Sequence, residues 1–489
     1  MANVTRRTFL GSSLAAAGGG FLTSTDNVAK GFAGIQKSIG RPLGANDRIR
    51  VGVAGIRSMG WNHIVALAKL KESSNVEILC LIDPDSSMFE SRSQLCEERG
   101  GYRPAYCVQD VRYALEDRHL DGLSIATPNH WHALMTIWAC QAGKDVLVEK
   151  PMSHNVREGR IAVETARKYK RIVQHGTQRR CERGWAHAIA VVKSGKLGKL
   201  KIARGICYRD RPSIGWKPHT QPPKELDYNL WLGPAPEMPF HGNRVHYNWH
   251  WLWETGNGDI GNQGVHQMDV ASWGIHGCKL PRSVISIAGT YGYNDQRTIP
   301  NTQVAFMDFG DVQLIFEVRG LPTEGYLGTT VGNIFHFEEG DMIEGGFFPK
   351  GSSQAVPLPE VDFDFTPCAD KHDNWLQAMR SRKVSDLNAD ILEAHYSSAI
   401  GHLPLISHRL GGKVPFDPRP EGFNEAQIET IERMEQHLVA NGVDLKDNGY
   451  TLGRTLIIDD RSETIVGDPE ANAMLTRHYR PPFVVPDQA

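Results

Sequence analysis

Over its first third the chain repeats one hydrophobic pattern, and then it changes. The runs Ile49–Ala54, Val76–Ile82, Gly122–Ile125 and Asp145–Glu149 are short and almost wholly apolar. Such runs predict strands covered on both faces. The segments between and after them, Trp61–Leu70, Ser87–Arg99, Trp131–Ala142 and Val156–Lys170, carry helical spacing. Strands alternating with helices predict an α/β unit with a doubly wound parallel sheet, whose ligand lies at the strand C-termini. From Ile172 onward the pattern differs. Lys201–Tyr208, Ser283–Ala288, Gln303–Phe309 and Val312–Val318 read as strands with too few helices between them for further βαβ units. They predict an α+β domain with a mostly antiparallel sheet. His372–Met379 and Ala389–Ser407 read as helices, and the tail from Phe423 as a helix plus a strap over the body. The expected divisions are 1–47, 48–175, 176–422 and 423–489.

Composition narrows the class. Hydrophobic residues make up 40 % and charged residues 22 %, ordinary for a globular protein. The formal net charge of −2 gives no basic excess for a nucleic-acid partner. No apolar run in the body is long enough for a membrane span. The eight cysteines are scattered without metal or disulfide spacing, and read as small buried hydrophobes. The pairs His130/His132 and His246/His250 lack a clear third ligand, so no metal is expected. At the N-terminus, Thr5-Arg-Arg-Thr-Phe-Leu10 precedes a mildly apolar Ala/Gly stretch. That is the form of a twin-arginine export signal, cleaved or retained, and implies a periplasmic enzyme; an arbitrary basic start would leave it cytoplasmic.

The chemistry gathers at the predicted strand ends. Gly55-Ile-Arg-Ser-Met-Gly60 joins the first strand to the first helix. Glycines there let backbone and helix N-terminus approach a pyrophosphate, so Gly55, Arg57, Met59 and Gly60 are expected at a dinucleotide. Arg57 stands where the middle glycine is usual and could contact phosphate itself. The second strand ends at Asp83, about twenty residues on, where an acid holds the adenosine ribose. It favours NAD over NADP. Two other strand ends read Ala126-Thr-Pro-Asn-His-Trp-His132 and Glu149-Lys-Pro151, and Gln178 is placed near the edge of the last strand. A lysine between a strand end and a proline is held at the ligand edge, where it can hydrogen-bond a substrate hydroxyl. In the second half Tyr247–Asp269 opens with aromatics, Trp251 among them, suited to a carbohydrate face, and runs through four glycines into an apparent helix. Asn262, His266 and Asp269 would share one face of it. A histidine there has the proton affinity to act as a base.

With the Gly turn and Asp83, these motifs make the chain resemble the glucose–fructose oxidoreductase / inositol dehydrogenase / MocA (Gfo/Idh/MocA) family over roughly residues 48–415. The resemblance implies a Rossmann domain followed by an open sheet, and hydride transfer between nicotinamide and a sugar or polyol carbon. It carries Lys150 over as catalytic, and Thr127, Pro128, Asn129, His132 and Glu149 as the cofactor pocket. It implies a dimer or tetramer and places His395 near substrate. Family members commonly show Asp-x-x-x-His where this chain has Asn262 and His266, so Asp269 is the alternative carboxylate partner. If exported, the enzyme must recycle its NAD within each turnover. Coupled oxidation and reduction of two sugars would do so, as would redox-assisted glycoside cleavage. A non-catalytic nucleotide- or sugar-binding protein is the remaining alternative, supported by Arg57 and Asn262.

Overall fold

A computed structural model of the protein describes residues 44, 47–277, 279–416 and 419–489; the expected export signal lies outside them. Among the described residues six strands form a parallel sheet: β1 (Ile49–Ala54), β2 (Val76–Ile82), β3 (Tyr106–Val108), β4 (Gly122–Ile125), β5 (Asp145–Val148) and β6 (Val173–His175). Their spatial order is β3-β2-β1-β4-β5-β6. This is the doubly wound order, with its switch point between β1 and β4. The connecting helices are α1 (Ser58–Lys69), α2 (Phe89–Gly100), α3 (Val111–Leu115), α4 (Asn129–Gln141) and α5 (Val156–Lys168). β4 and β5 are buried at every position, as their unbroken apolar runs require.

The second sheet contains β7 (Leu200–Tyr208), β8 (Ser283–Gly289), β9 (Thr302–Asp308), β10 (Gln313–Arg319), β11 (Val331–Phe337), β12 (Gly340–Ile343), β13 (Gly346–Pro349), β14 (Gly412–Pro415), β15 (Gly449–Leu452), β16 (Leu456–Asp459) and β17 (Thr464–Ile465). Only β7 and β10 pair in parallel among them; the rest is antiparallel. The helices of this half are α6 (Arg183–Ser194), α7 (Tyr228–Leu232), α8 (Gly258–Gly261), α9 (Gly264–Gly274), α10 (Lys371–Ser381), α11 (Ile391–Arg409), α12 (Glu425–Ala440) and α13 (Pro469–Ala473). One face of the sheet packs on α6, α9 and α11 through Phe316, Phe335, Met268 and Leu403. Part of the other face is covered by α12 through Ile431, Met434 and Leu438. Under α12 the buried Glu317 receives Arg204 and Arg433. Against the upward push of burial, these guanidiniums hold its carboxyl at about 2.

Two features depart from the pattern expected along the chain. The tail is more than a helix and a strap: β15 and β16 both pair with β8 and extend the second sheet. Their runs are four residues long, too short for alternation to mark them. The final segment then crosses to the parallel-sheet half, where Phe483 packs on Trp131 and Trp138. The second departure is α10. Its Trp375, Leu376 and Met379 join the core of the parallel sheet, and a side chain at Gly122 would strike Trp375 at 2.9 Å. Helical periodicity shows that α10 has an apolar face but not which sheet receives it.

Candidate active site

A cleft of about 300 Å³ opens at the C-terminal ends of β1, β2, β4 and β5. Its floor is made by the β1–α1 turn. Gly55 has φ +77°, and a Cβ there would lie 2.6 Å from the backbone of Ala126. A Cβ on Gly60 would lie 1.8 Å from the Gly55 carbonyl oxygen. Both positions therefore need glycine, Gly55 for its left-handed backbone and Gly60 for close approach. Arg57 precedes α1 and gives it no side-chain cap, so the first-turn amides remain open to an anion.

Arg57 does not reach across the turn as a free phosphate ligand. It pairs with Asp85, which also caps the turn at Ser87. Asp83 accepts from the amides of Ile56 and Asp85, each at 2.9 Å. Burial pushes its carboxyl up to about 6. The acidic end of the cleft thus holds two carboxylates, and the sequence motif pointed to one.

The β4 end contributes Thr127, Pro128, Asn129 and His132. Thr127 Oγ1 is buried without a hydrogen-bond partner. Asn129 donates to Asn257 Oδ1 at 3.0 Å. His132 contacts the carbonyls of Thr127 at 2.7 Å and Pro151 at 2.5 Å. Neither of its nitrogens is left for a ligand; it staples two strand ends together.

Glu149 and Lys150 close β5. Glu149 is buried and takes Lys371 of α10 and His63 of α1 on one oxygen. Burial alone would raise its pKa, but Lys371 and His63 hold it well below the usual carboxylate range. Lys150 donates to the Asn262 carbonyl at 2.9 Å and to Asn262 Oδ1 at 3.1 Å. Its ammonium has a third N–H. Burial lowers its pKa; Glu149 opposes that and Lys371 adds to it.

Asn262, His266 and Asp269 do not form one helical face. The chain breaks between α8 and α9, with Asn262 in the break at φ −92° and ψ −87°. The glycines at 258, 261 and 264 were the signal for this interruption. His266 lies in α9, off the cleft wall, with Nδ1 buried and unpartnered. Burial and then Lys150 push its pKa well below 6.5, so its ring is neutral. Asp269 is turned away and bound by Arg180 Nε at 2.9 and 3.0 Å. It is a structural ion pair, and no carboxylate tunes His266 from that position.

Three further expected residues lie elsewhere. Gln178 is exposed and off the cleft wall. His395 is fully buried and bonds Glu463 at 2.9 Å, a partner shared with Arg160. Trp251 is covered by Arg211 and Arg297. Within the 3₁₀ turn Asn248–Trp251, each residue is rotated about 120° from the last. His250 therefore meets the cleft and Trp251 does not; His246, Tyr247 and Trp249 line it too. Trp231 and Leu230 of α7 complete the wall. No motif marked α7. Among the described residues no cluster could hold a metal ion, and no helix is long and apolar enough to cross a membrane.

The family models for the oxidoreductase family match this architecture in two parts: the NAD-binding Rossmann fold over residues 49–177, and the C-terminal alpha/beta domain over residues 213–438. The chain belongs to the Gfo/Idh/MocA oxidoreductase family. Within the family it is similar to scyllo-inositol 2-dehydrogenase (NAD(+)) of Bacillus subtilis, 29% identical over 158 residues. That match covers 32% of this chain and 44% of the relative. It is also similar to a glycosyl hydrolase family 109 protein of Shewanella pealeana, 28% identical over 182 residues, covering 37% and 39%. These matches span less than half the length of either relative. The fold is that of the WlbA dehydrogenase from Bordetella pertussis, solved in complex with NADH and UDP-GlcNAcA. The TM-score is 0.52 at 19% identity, over 72% of this chain and 94% of that one.

Proposed function

We propose that this Gfo/Idh/MocA chain binds NAD in the main cleft and transfers hydride between the nicotinamide and a hydroxyl-bearing carbon of a sugar or polyol. The residues fit such a cofactor: open first-turn amides of α1, an orphaned Thr127 Oγ1, and two carboxylates at the β2 end. Those carboxylates disfavour the extra phosphate of NADP. Bound there, the nicotinamide supplies the hydride acceptor or donor. Lys150 carries the reading, because its ammonium faces the cleft with a donor left over from Asn262. It orients the substrate hydroxyl and stabilises the developing alkoxide. His266, neutral and set behind the cleft wall with an unengaged Nδ1, takes the proton through a bridging water. Tyr247, Trp249 and His250 offer rings to a sugar face.

A second reading, redox-assisted glycoside cleavage with NAD restored in each turnover, is favoured by the similarity to a glycosyl hydrolase family 109 protein. Export by the Arg6-Arg7 signal to the periplasm, where a tightly held cofactor would be needed, belongs to the same proposal. So does assembly as a dimer or tetramer.

The test is to purify the chain without added nucleotide, quantify what denaturation releases, and follow reduced-nicotinamide absorbance against a panel of sugars, inositols and aryl glycosides. Bound NAD(H) that changes redox state with one of them supports the proposal. Aglycone release without net reduction selects the second reading. A protein that neither holds nor binds NAD(H) contradicts both.

A further inference from the structure

A second cavity, of about 260 Å³, lies behind the wall that Asn129 gives the main cleft. It is enclosed by the segment after β5, the glycine-rich loop before α8, α11 and the tail beyond α13. We infer that this cavity is a binding site for a small organic carboxylate, held by Arg477.

The guanidinium is half engaged. Its Nη1 donates to the Glu254 carbonyl at 2.9 Å and lies 3.3 Å from His154 Nδ1. His154 Nε2 donates to the Trp253 carbonyl at 2.8 Å, so Nδ1 carries the lone pair that Arg477 meets. The Nε and Nη2 edge has no acceptor among the described residues. That edge forms two parallel hydrogen bonds to a carboxylate. The neighbouring carboxylates do not fill it. Glu158 already accepts from the His154 amide, from Asn155 Nδ2 at 2.9 Å and from Tyr479 OH at 3.0 Å. Glu254, which also lines the cavity, acts electrostatically on both Arg409 and Arg477, but its carboxylate forms no salt bridge with Arg477; Arg409 stacks on Trp253 at 4.4 Å. His154 and His402 add no positive charge, because burial lowers the pKa of both, that of His402 to about 3. Arg477 thus keeps an open Nε–Nη2 edge at the wall of the cavity, with Glu158 and Glu254 near it but neither hydrogen-bonded to that edge.

The remaining wall selects the body of the ligand. Leu405, Ile406 and Met474 are apolar. A bare inorganic anion would leave them against water, whereas a short carbon chain covers them. The site also reaches the main cleft. Asn257 touches His402 Nδ1 at 3.3 Å, donates to the His154 carbonyl at 3.1 Å, and accepts from Asn129. An occupant therefore bears on the same asparagine that orders the cleft wall. The inference is independent of the chemistry proposed for that cleft.

The experiment is calorimetric titration of the full chain, with its nucleotide content measured, using sodium butyrate, sodium phosphate and 1-butanol. Saturable butyrate binding is expected, with none for butanol. It should weaken at least tenfold in R477Q. It should also be lost in A473W, which fills the cavity from an exposed position and leaves the guanidinium in place. Near-ultraviolet circular dichroism checks that both variants fold. Absence of saturable butyrate heat overturns the inference, as does butyrate binding that R477Q leaves unchanged. Tighter binding of phosphate than of butyrate overturns the organic part of it.

Discussion

Glu149 and Lys150 are neighbours in the chain and opposites in their surroundings. Glu149 looks inward to Lys371 and His63, and His63 in turn meets Ser124 Oγ at 2.6 Å. Every partner in that cluster belongs to the protein. Lys150 looks outward, anchored by Asn262, into a cleft shared with groups of unmet capacity: Thr127 Oγ1 and the first-turn amides of α1. A buried polar group that is left unsatisfied costs free energy. At the wall of a cleft, such a group is one that a ligand can complete. The inner cluster therefore holds the fold, and the outer one is available for chemistry.

Substitutions separate the two. K150M should reduce turnover by up to about 10,000-fold, the upper range for positioned acid–base groups, while nucleotide content stays near that of the wild type. Equal losses of turnover and nucleotide would place Lys150 in binding alone. K371M should act on the fold instead, because it leaves the Glu149 carboxylate buried without its main partner. A loss of about 3–5 kcal/mol in denaturant unfolding is expected. A stable K371M would show that His63 suffices for Glu149.

The buried histidines set the acid limit. Burial lowers the pKa of His63 and His175 to about 4, and of His130 and His402 to about 3. An unfolded chain takes up these protons below about pH 6.5, and the folded chain does not until pH nears 4. Stability should therefore fall with pH across that window, by up to about 1.4 kcal/mol per pH unit for each group. A flat unfolding midpoint between pH 6.5 and 4.5 would contradict it. Catalysis should show the converse limit. The oxidation rate, which needs the Lys150 ammonium, should decline at alkaline pH before an ordinary lysine titrates, since burial lowers its pKa. The smallest effect belongs to R57A, whose partly exposed pair with Asp85 sets less than about 1 kcal/mol of nucleotide affinity.

The parallel sheet was legible because strands covered on both faces keep continuous apolar runs, as β4 and β5 do. Its strand ends carried Gly55, Thr127, Asn129 and Lys150 to one cleft, since the doubly wound order places all of them at one edge. What was not legible depends on contacts distant in sequence. Asp269 has its partner Arg180 about ninety residues away. Lys371 reaches Glu149 from 222 residues further along the chain, and no spacing announces that return. Local geometry misled at Trp251, where one step in a 3₁₀ turn separates a cleft residue from a packed one.

Hydride transfer in this cleft is tested most directly by the fate of a single hydrogen. A polyol or sugar identified by the absorbance screen, deuterated at its carbinol carbons, would be mixed with the NAD-loaded chain, and the released nucleotide weighed by mass spectrometry. Deuterium is expected on the reduced nucleotide, at a rate that drops sharply in K150M and H266A. Substrate conversion with no label on the nucleotide would contradict hydride transfer at this cleft.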